Sequence, residues 1–128
     1  CLFEGEIMGY TYSFEKLEVW QSAKDFIINI YQITKKYPEN EKYGLVSQLN
    51  RAAVSIASNI SEGTSRTSNK DQTHFTQIAY SSLMEVICQL IISKDLGFIS
   101  ENVYLSLRKK AEKISNKLNS LRKSQLNK

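Results

Sequence analysis

A chain of 128 residues is long enough to bury one hydrophobic core and short for two domains. Its composition, 41% hydrophobic and 23% charged, is ordinary for a soluble globular protein. No uninterrupted apolar run approaches the roughly 18 residues that a membrane-spanning helix needs, so no membrane partner is expected.

The net charge is +4, and the basic residues are concentrated near the carboxyl end. Residues 101–128 contain eight Lys/Arg and two acids, whereas residues 1–100 contain nine Lys/Arg and eleven acids. Such asymmetry fits an acidic partner, nucleic acid included, although it is also common on solvated helices.

The two cysteines, Cys1 and Cys88, have no spacing typical of a metal or redox site, which favours a reduced, cytoplasmic setting. Residues 1–8 lack the basic start and long apolar core of a signal peptide. We hypothesise that Met8 is the natural start. Residues 1–12 are therefore predicted to be an upstream or disordered segment.

The first predicted helix runs from about Phe14 to Lys36, with Ser13 as its N-cap and Pro38 after its end. Its inward positions follow a regular 4-3-4-3-4 spacing: Val19, Ala23, Phe26, Ile30, Ile33 and Tyr37. A second apolar stripe, formed by Trp20, Ile27 and Tyr31, either completes the core or contacts another subunit.

The second predicted helix runs from about Leu45 to Ser61, and Gly63 is expected to stop it because glycine tolerates the left-handed turn after a helix. Its inward positions are Leu45, Leu49, Ala52, Ala53, Ile56 and Ile60.

The third predicted helix begins after the capping residue Ser68 and ends near Leu96, with Gly97 as its C-cap. Its inward positions are Phe75, Ile78, Ala79, Leu83, Val86, Ile87 and Leu90. Ser100 caps the fourth helix, which is expected to fray beyond Arg122. The inward positions of this helix are Tyr104, Leu107, Ala111, Ile114, Leu118 and Leu121.

Four long helices joined by short loops predict an all-α fold, an antiparallel up-down-up-down four-helix bundle. The bundle domain is expected to span residues 13–124, followed by a frayed tail at residues 125–128.

The second helix carries a polar ridge beside its apolar face, within an arc of about 80°. The ridge consists of Gln48, Arg51, Ser55, Asn59 and Glu62. The third helix offers partners at matching spacing: Ser82, Glu85 and Gln89. One hypothesis is an inter-helix network in which Arg51 pairs with Glu85 and Asn59 caps or bridges backbone, because buried polar groups need partners. The alternative is an exposed ridge that binds a ligand or RNA.

On the fourth helix, Lys110, Lys113 and Lys117 lie within an arc of about 60°, with Lys109 nearby. This row is a candidate phosphate-binding surface, and Arg66 and Lys70 could extend it. The alternative is a solvated face whose lysines stabilise the carboxyl end of the helix dipole.

Catalytic chemistry is not expected. His74 is the only histidine, and no serine or cysteine has an evident histidine and acid partner. The sequence contains no glycine-rich phosphate loop and no zinc-ligand spacing. Neither a metal nor a cofactor is therefore predicted.

Four motifs resemble one known family in the same order along the chain: residues 14–21 (FEKLEVWQ), 48–63 (QLNRAAVSIASNISEG), 78–85 (IAYSSLME) and 95–99 (DLGFI). The resemblance is to the 23S ribosomal RNA intervening-sequence proteins, also called the S23 or four-helix-bundle protein family. It covers about residues 13–120 and identifies Gln48, Arg51, Ser55, Asn59, Glu62, Gly63, Ser82 and Glu85 as a family structural signature. Tyr80 departs from it, standing where a small residue is expected.

The resemblance implies a bacterial antiparallel four-helix bundle assembled as a ring-shaped homopentamer. A related branch includes the accessory protein of diversity-generating retroelements, which binds a reverse transcriptase and nucleic acid. We therefore expect a non-enzymatic homo-oligomer that associates with RNA through its basic surface. The alternative is a protein-interaction scaffold, such as a partner of a reverse transcriptase.

Overall fold

The computed structural model describes residues 9–127, so the hypothesis about Met8 and most of the predicted upstream segment lie outside the described part. The α-helices in this range are α1 (Glu18–Thr34), α2 (Leu45–Thr64), α3 (Asn69–Asp95) and α4 (Glu101–Leu126). Short 3-10 turns cover Ser13–Lys16 and Glu39–Glu41, and no strand occurs among the described residues.

Each helix packs against its two neighbours around a square: α1 on α2, α2 on α3, α3 on α4, and α4 back on α1. Neither diagonal pair, α1 with α3 or α2 with α4, is in contact. Short connections make consecutive helices antiparallel. The predicted all-α four-helix bundle is confirmed.

The core contains most of the residues that the helical spacing placed inward. Phe26, Ile30, Leu49, Ile56 and Leu83 are among those that are almost completely buried. Burying an aliphatic or phenyl side chain of this size stabilises a fold by about 1.5–3 kcal/mol, so these positions dominate the stability of the bundle.

At the end of α1, Thr34 is buried, whereas the predicted core residue Ile33 is only partly buried. The Thr34 hydroxyl lies 3.2 Å from the Tyr31 carbonyl and 3.1 Å from Asn50 Oδ1, so its polar group has partners at the α1–α2 seam.

The start of α1 differs from the prediction. Residues 13–16 form a 3-10 turn, Leu17 is extended, and the α-helix begins only at Glu18. Ser13 is therefore not the N-cap of α1. The Tyr12 backbone N–H donates to Glu15 Oε2 at 2.9 Å instead, which stabilises the turn. This turn places the Phe14 ring 5.0 Å, centroid to centroid, from the ring of Trp20.

Gly63 does not stop α2, which continues to Thr64. The residue is buried, and a Cβ built on it would lie 3.1 Å from Phe75 Cβ and 3.2 Å from the Gln72 carbonyl oxygen. Glycine fits here because α2 and α3 approach so closely that a Cβ would make a tight contact, and not because the backbone turns left-handed.

The predicted caps of α3 and of the start of α4 are confirmed, whereas α1 ends at Thr34 and not at Lys36. The hydroxyls of Ser68 and Ser100 each accept the backbone N–H three residues later, both at 3.1 Å. Gly97 has a φ of +82°, and α3 ends in a Schellman motif. In it, the Phe98 N–H donates to the Ser93 carbonyl at 2.9 Å and the Gly97 N–H donates to the Lys94 carbonyl at 3.0 Å.

The last helix is longer than predicted. It continues to Leu126, so fraying beyond Arg122 is wrong and the predicted tail at residues 125–128 is helical as far as residue 126. Gln125 is buried, and its Oε1 accepts a hydrogen bond of 2.7 Å from the hydroxyl of Thr76, itself buried in α3. This contact ties the end of α4 to the start of α3.

Among the described residues, α3 is the one helix long and apolar enough to cross a membrane, a property that core helices of soluble proteins share. Ala79, Leu83, Val86 and Leu90 face the core and are buried. Met84, Cys88 and Ile92 on its outward side are exposed and apolar, and they add to the mean hydropathy of an 18-residue stretch of the helix.

Candidate functional site

The polar ridge of α2 lies along its seam with α3, and part of it forms the predicted inter-helix network. The hydroxyls of Ser55 and Ser82 share a hydrogen bond of 2.8 Å. Asn59 Nδ2 donates to the Ser55 carbonyl at 2.8 Å and to the Ser55 hydroxyl at 3.0 Å. The expectation that Asn59 bridges to backbone is therefore confirmed.

About two turns further along the seam, Gln89 links the two helices. Its Nε2 donates to Gln48 Oε1 and to Glu85 Oε2, each at 3.2 Å. Gln89 is buried, and its Oε1 has no hydrogen-bond partner among residues 9–127. A buried amide oxygen without a partner costs about 1–3 kcal/mol, so this part of the seam is only partly satisfied.

Arg51 and Glu85 do not form the expected ion pair. No Lys or Arg of the described chain lies within 4.0 Å of the Glu85 carboxylate. Arg51 is exposed and makes no hydrogen bond or ion pair with any described residue. Ser55 and Ser82, about one turn along the seam, bond to each other, and they line an open cleft together with Arg51 and Glu85.

This cleft has a volume of about 490 Å³. Its lining consists of Gln48, Arg51, Ala52, Ser55, Ser82 and Glu85, so five of its six residues belong to the signature identified from the sequence. The signature therefore has two parts. The serines and Asn59 satisfy the seam, whereas Arg51 and Glu85 present charges of opposite sign at its surface.

The remaining signature residues lie at the end of α2. Glu62 Oε2 forms an ion pair of 2.6 Å with Arg66, whose guanidinium also stacks 4.7 Å from the centre of the Phe75 ring. Both charged side chains are about half exposed, so the pair contributes little to stability, about 0–1 kcal/mol.

The lysine row of α4 lies along its seam with α1. Lys110 Nζ donates to Asn29 Oδ1 and Lys117 Nζ donates to Ser22 Oγ, each at 2.9 Å. Lys117 also lies 3.4 Å from the exposed carboxylate of Glu18. These contacts orient the ammonium groups toward the seam. The acceptors on Ser22 and Asn29 are neutral, whereas the Glu18 carboxylate offsets part of the charge of Lys117.

An open groove follows this seam. Its central part, about 230 Å³, is lined by Ser22, Asp25, Phe26, Asn29, Lys110, Lys113, Ile114 and Lys117. Two further concavities, of about 460 and 300 Å³, continue it toward the two ends of the bundle. Lys113 has no ion pair within 4.0 Å among the described residues, although Asp25 lines the same groove.

Lys109 is exposed beside this row, whereas Arg66 and Lys70 are not part of it. They lie at the junction of α2 and α3, across the bundle from the α1–α4 seam. Arg66 is also held by Glu62. The basic candidates therefore form one row and one separate pair.

The second apolar stripe of α1 was expected either to complete the core or to contact another subunit, and its residues differ in burial. Trp20 and Ile27 are partly buried and pack against the core, whereas Tyr31 is 42% exposed. Lys24 Nζ lies 5.6 Å from the centre of the Trp20 ring, over the exposed side of the stripe.

The described residues contain no group of three or more His, Cys, Asp or Glu side chains that could hold a metal. His74 is exposed near the start of α3 and contacts the Phe75 ring. The arrangement thus offers charged and hydrogen-bonding surfaces for binding.

Two hydrogen-bond partners of the lysine row, Ser22 and Asn29, were missed from the sequence. They lie seven residues apart on α1, and Lys110 and Lys117 lie seven apart on α4. Equal spacing on two antiparallel helices predicts that the pairs meet, so this signal was present in the sequence.

Comparison with solved structures supports the fold. The chain is similar to a protein with unknown function from the S23 ribosomal protein family of Bacteroides thetaiotaomicron VPI-5482, with a TM-score of 0.76 and 24% sequence identity. The alignment covers 82% of this chain and 98% of that one. No curated protein sequence matches the chain.

The family model for the 23S rRNA-intervening sequence protein matches residues 15–120. This range includes α1, α2, α3 and most of α4, together with both the polar cleft and the lysine row. The chain belongs to the 23S rRNA-intervening sequence protein family.

Proposed function

We propose that the protein is a non-enzymatic, homo-oligomeric RNA-associated protein of the bacterial cytoplasm, and that it contacts the RNA backbone through the lysine row of α4. The observation that carries this proposal is the position of Lys110, Lys113 and Lys117 along one open groove. Phosphates spaced along a strand require such a row of cations.

The mechanism is recognition of backbone charge and shape. The one aromatic residue that lines the groove, Phe26, is almost completely buried and cannot stack on bases. Binding should therefore depend steeply on salt and only weakly on sequence. If the three lysines each release a counterion, log K falls with log salt with a slope of about −2 to −3 per subunit.

The test is binding of labelled structured RNA, duplex DNA and a neutral polymer across a salt series. The variant Lys110→Gln with Lys113→Gln and Lys117→Gln removes the charges of the row. The matched control, Lys16→Gln with Lys36→Gln and Lys42→Gln, removes the same charge from exposed positions outside the groove. Far-UV circular dichroism establishes that both variants remain folded.

We expect the groove variant to lose affinity and to flatten the salt slope by about two to three units, and the control variant to retain both. Equal losses in the two variants would refute the lysine row as the binding surface. Absence of binding at low salt would refute the association with nucleic acid and leave the scaffold for a protein partner.

The homo-oligomer, which the family resemblance identifies as a pentamer, is supported by exposed apolar side chains on α1 such as Tyr31. The test is light scattering behind size-exclusion chromatography. Five chains of 14.7 kDa would have a mass of about 74 kDa. A mass that stays at one chain across micromolar concentrations would refute the assembly.

A further inference from the structure

The outward side of α3 carries an apolar stripe that no function described above uses. The α3 stripe consists of Tyr80, Met84, Ile87, Cys88, Ile91 and Ile92. At 100° per residue these positions cover an arc of about 140°, opposite the inward face of the helix. Met84 is 38% exposed and Ile92 is 44% exposed.

The chain covers this stripe only in part, because within residues 9–127 α3 packs only against α2 and α4. Tyr80, Ile91 and Ile87, the last predicted to face inward, are partly buried against the core, whereas Met84, Cys88 and Ile92 are exposed. A helix on the surface of a bundle normally carries polar residues on its outer side, and a contiguous apolar patch there marks an interaction surface. The α3 stripe therefore needs a partner with an apolar surface of similar length.

Such a surface exists on the opposite corner of the same bundle. The α1 stripe consists of Trp20, Ile27, Ile28 and Tyr31, and both Ile28 and Tyr31 are exposed. Because α1 and α3 are diagonal and make no contact, one chain cannot bring its own two stripes together. A second copy can.

The two stripes match in length and in charge. The α3 stripe spans about 18 Å from residue 80 to 92, and the α1 stripe about 17 Å from residue 20 to 31. The exposed acids Glu85 and Asp95 lie beside the former, where Asp95 is also 3.7 Å from Lys94 Nζ, and the exposed bases Lys24 and Lys35 lie beside the latter. The acids lie about 15 Å apart along α3 and the bases about 17 Å apart along α1, so both pairs can form together.

We propose that the α3 stripe of one copy docks on the α1 stripe of the next copy, with Glu85 and Asp95 facing Lys24 and Lys35. This inference deepens the proposed homo-oligomer and rests on it. The contact joins two different surfaces, so every subunit uses both, and a repeated head-to-tail contact closes into a ring when the rotation per subunit permits.

The test uses variants that block one surface each. Met84→Glu with Ile92→Glu blocks the α3 stripe, and Ile28→Glu with Tyr31→Glu blocks the α1 stripe. The matched control is Leu105→Glu, at an exposed apolar position on α4 outside both stripes. Masses are measured by light scattering for each variant alone and for a 1:1 mixture of the two blocked variants.

We expect each blocked variant to be monomeric and the control to keep the wild-type mass. The mixture should form a dimer containing one copy of each, because it retains one intact pair of stripes. A blocked variant that keeps the wild-type mass would overturn the inference. Self-association of the variant with the blocked α1 stripe, through two α3 stripes, would also overturn it.

The charges allow a second test that does not depend on apolar burial. Glu85→Lys with Asp95→Lys should raise the concentration for half-assembly about tenfold, and adding Lys24→Glu with Lys35→Glu to the same chain should restore it. Failure of the second pair to restore assembly would refute the pairing of the two stripes.

These results separate the inference from the proposed function. A wild-type protein that is monomeric refutes both the homo-oligomer and the docking of the stripes. If the wild-type protein is an oligomer and both blocked variants keep its mass, only the docking of the stripes is refuted. RNA binding depends on the lysine row and is measured independently of either result.

Discussion

Replacing Gly63 by alanine has two opposing effects on the free energy of unfolding, and the structure indicates which is larger. The added methyl group improves the intrinsic preference of α2 for a helix by about 1 kcal/mol. The same group would lie 3.1 Å from Phe75 Cβ and 3.2 Å from the Gln72 carbonyl oxygen. Neither atom can rotate away, so α2 and α3 must separate by a few tenths of an ångström along their shared seam.

Overpacking of this kind costs about 1–3 kcal/mol, which exceeds the gain in helix preference. We therefore expect Gly63→Ala to lower the free energy of unfolding by about 1 kcal/mol. For a domain of this length the loss corresponds to a fall in Tm of about 3–5 °C. Urea unfolding followed by circular dichroism, at one protein concentration throughout, measures it.

The pair Ser58→Gly and Ser58→Ala supplies the control, because Ser58 is exposed in the same helix. The stability difference between these two variants gives the helix-preference contribution without a contact. Subtracting it from the effect of Gly63→Ala leaves the cost of the close approach. If Gly63→Ala is as stable as wild type or more so, the close approach of α2 and α3 does not explain the glycine.

Three further predictions concern single hydrogen bonds or ionisations. Burial raises the pKa of the Tyr37 phenol above 10.0. The unfolded chain therefore ionises first, and the stability that the neutral phenol contributes below about pH 10 is lost as the pH rises further. In urea unfolding, Tyr37→Phe should lose less stability between about pH 8 and 11 than wild type does. Gln125→Ala leaves the buried Thr76 hydroxyl with one partner fewer and should cost about 1–3 kcal/mol, and an unchanged Tm would show that the end of α4 is not anchored. Ser82→Ala should cost about 1 kcal/mol, and a double-mutant cycle with Ser55→Ala should give a coupling energy clearly above zero.

Local chemistry and periodicity determined much of this protein from its sequence. Ser68, Gly97 and Ser100 act through residues within five positions of themselves, so their capping contacts could be predicted without knowing the packing. Inward positions such as Phe26 and Leu83 followed from a spacing that holds wherever the helix packs. The lysine row was found in the same way, because helical geometry places its members on one face.

Only the tertiary structure decided which groups meet across a seam. The close contact of Gly63 with Phe75 depends on the distance between two helix axes. That distance cannot be read from the residues next to either of them in the sequence. The same applies to Arg51 and Glu85, which helical spacing predicted to pair and which instead line an open cleft without an ion pair.

The end of α4 shows the same division. Fraying was expected beyond Arg122, whereas the helix continues to Leu126 and Gln125 bonds to Thr76 on α3. The sequence thus determined which helices form and which sides they bury, because those depend on neighbouring residues. Packing decided which contacts close, because it depends on inter-helix distances that many distant residues set together.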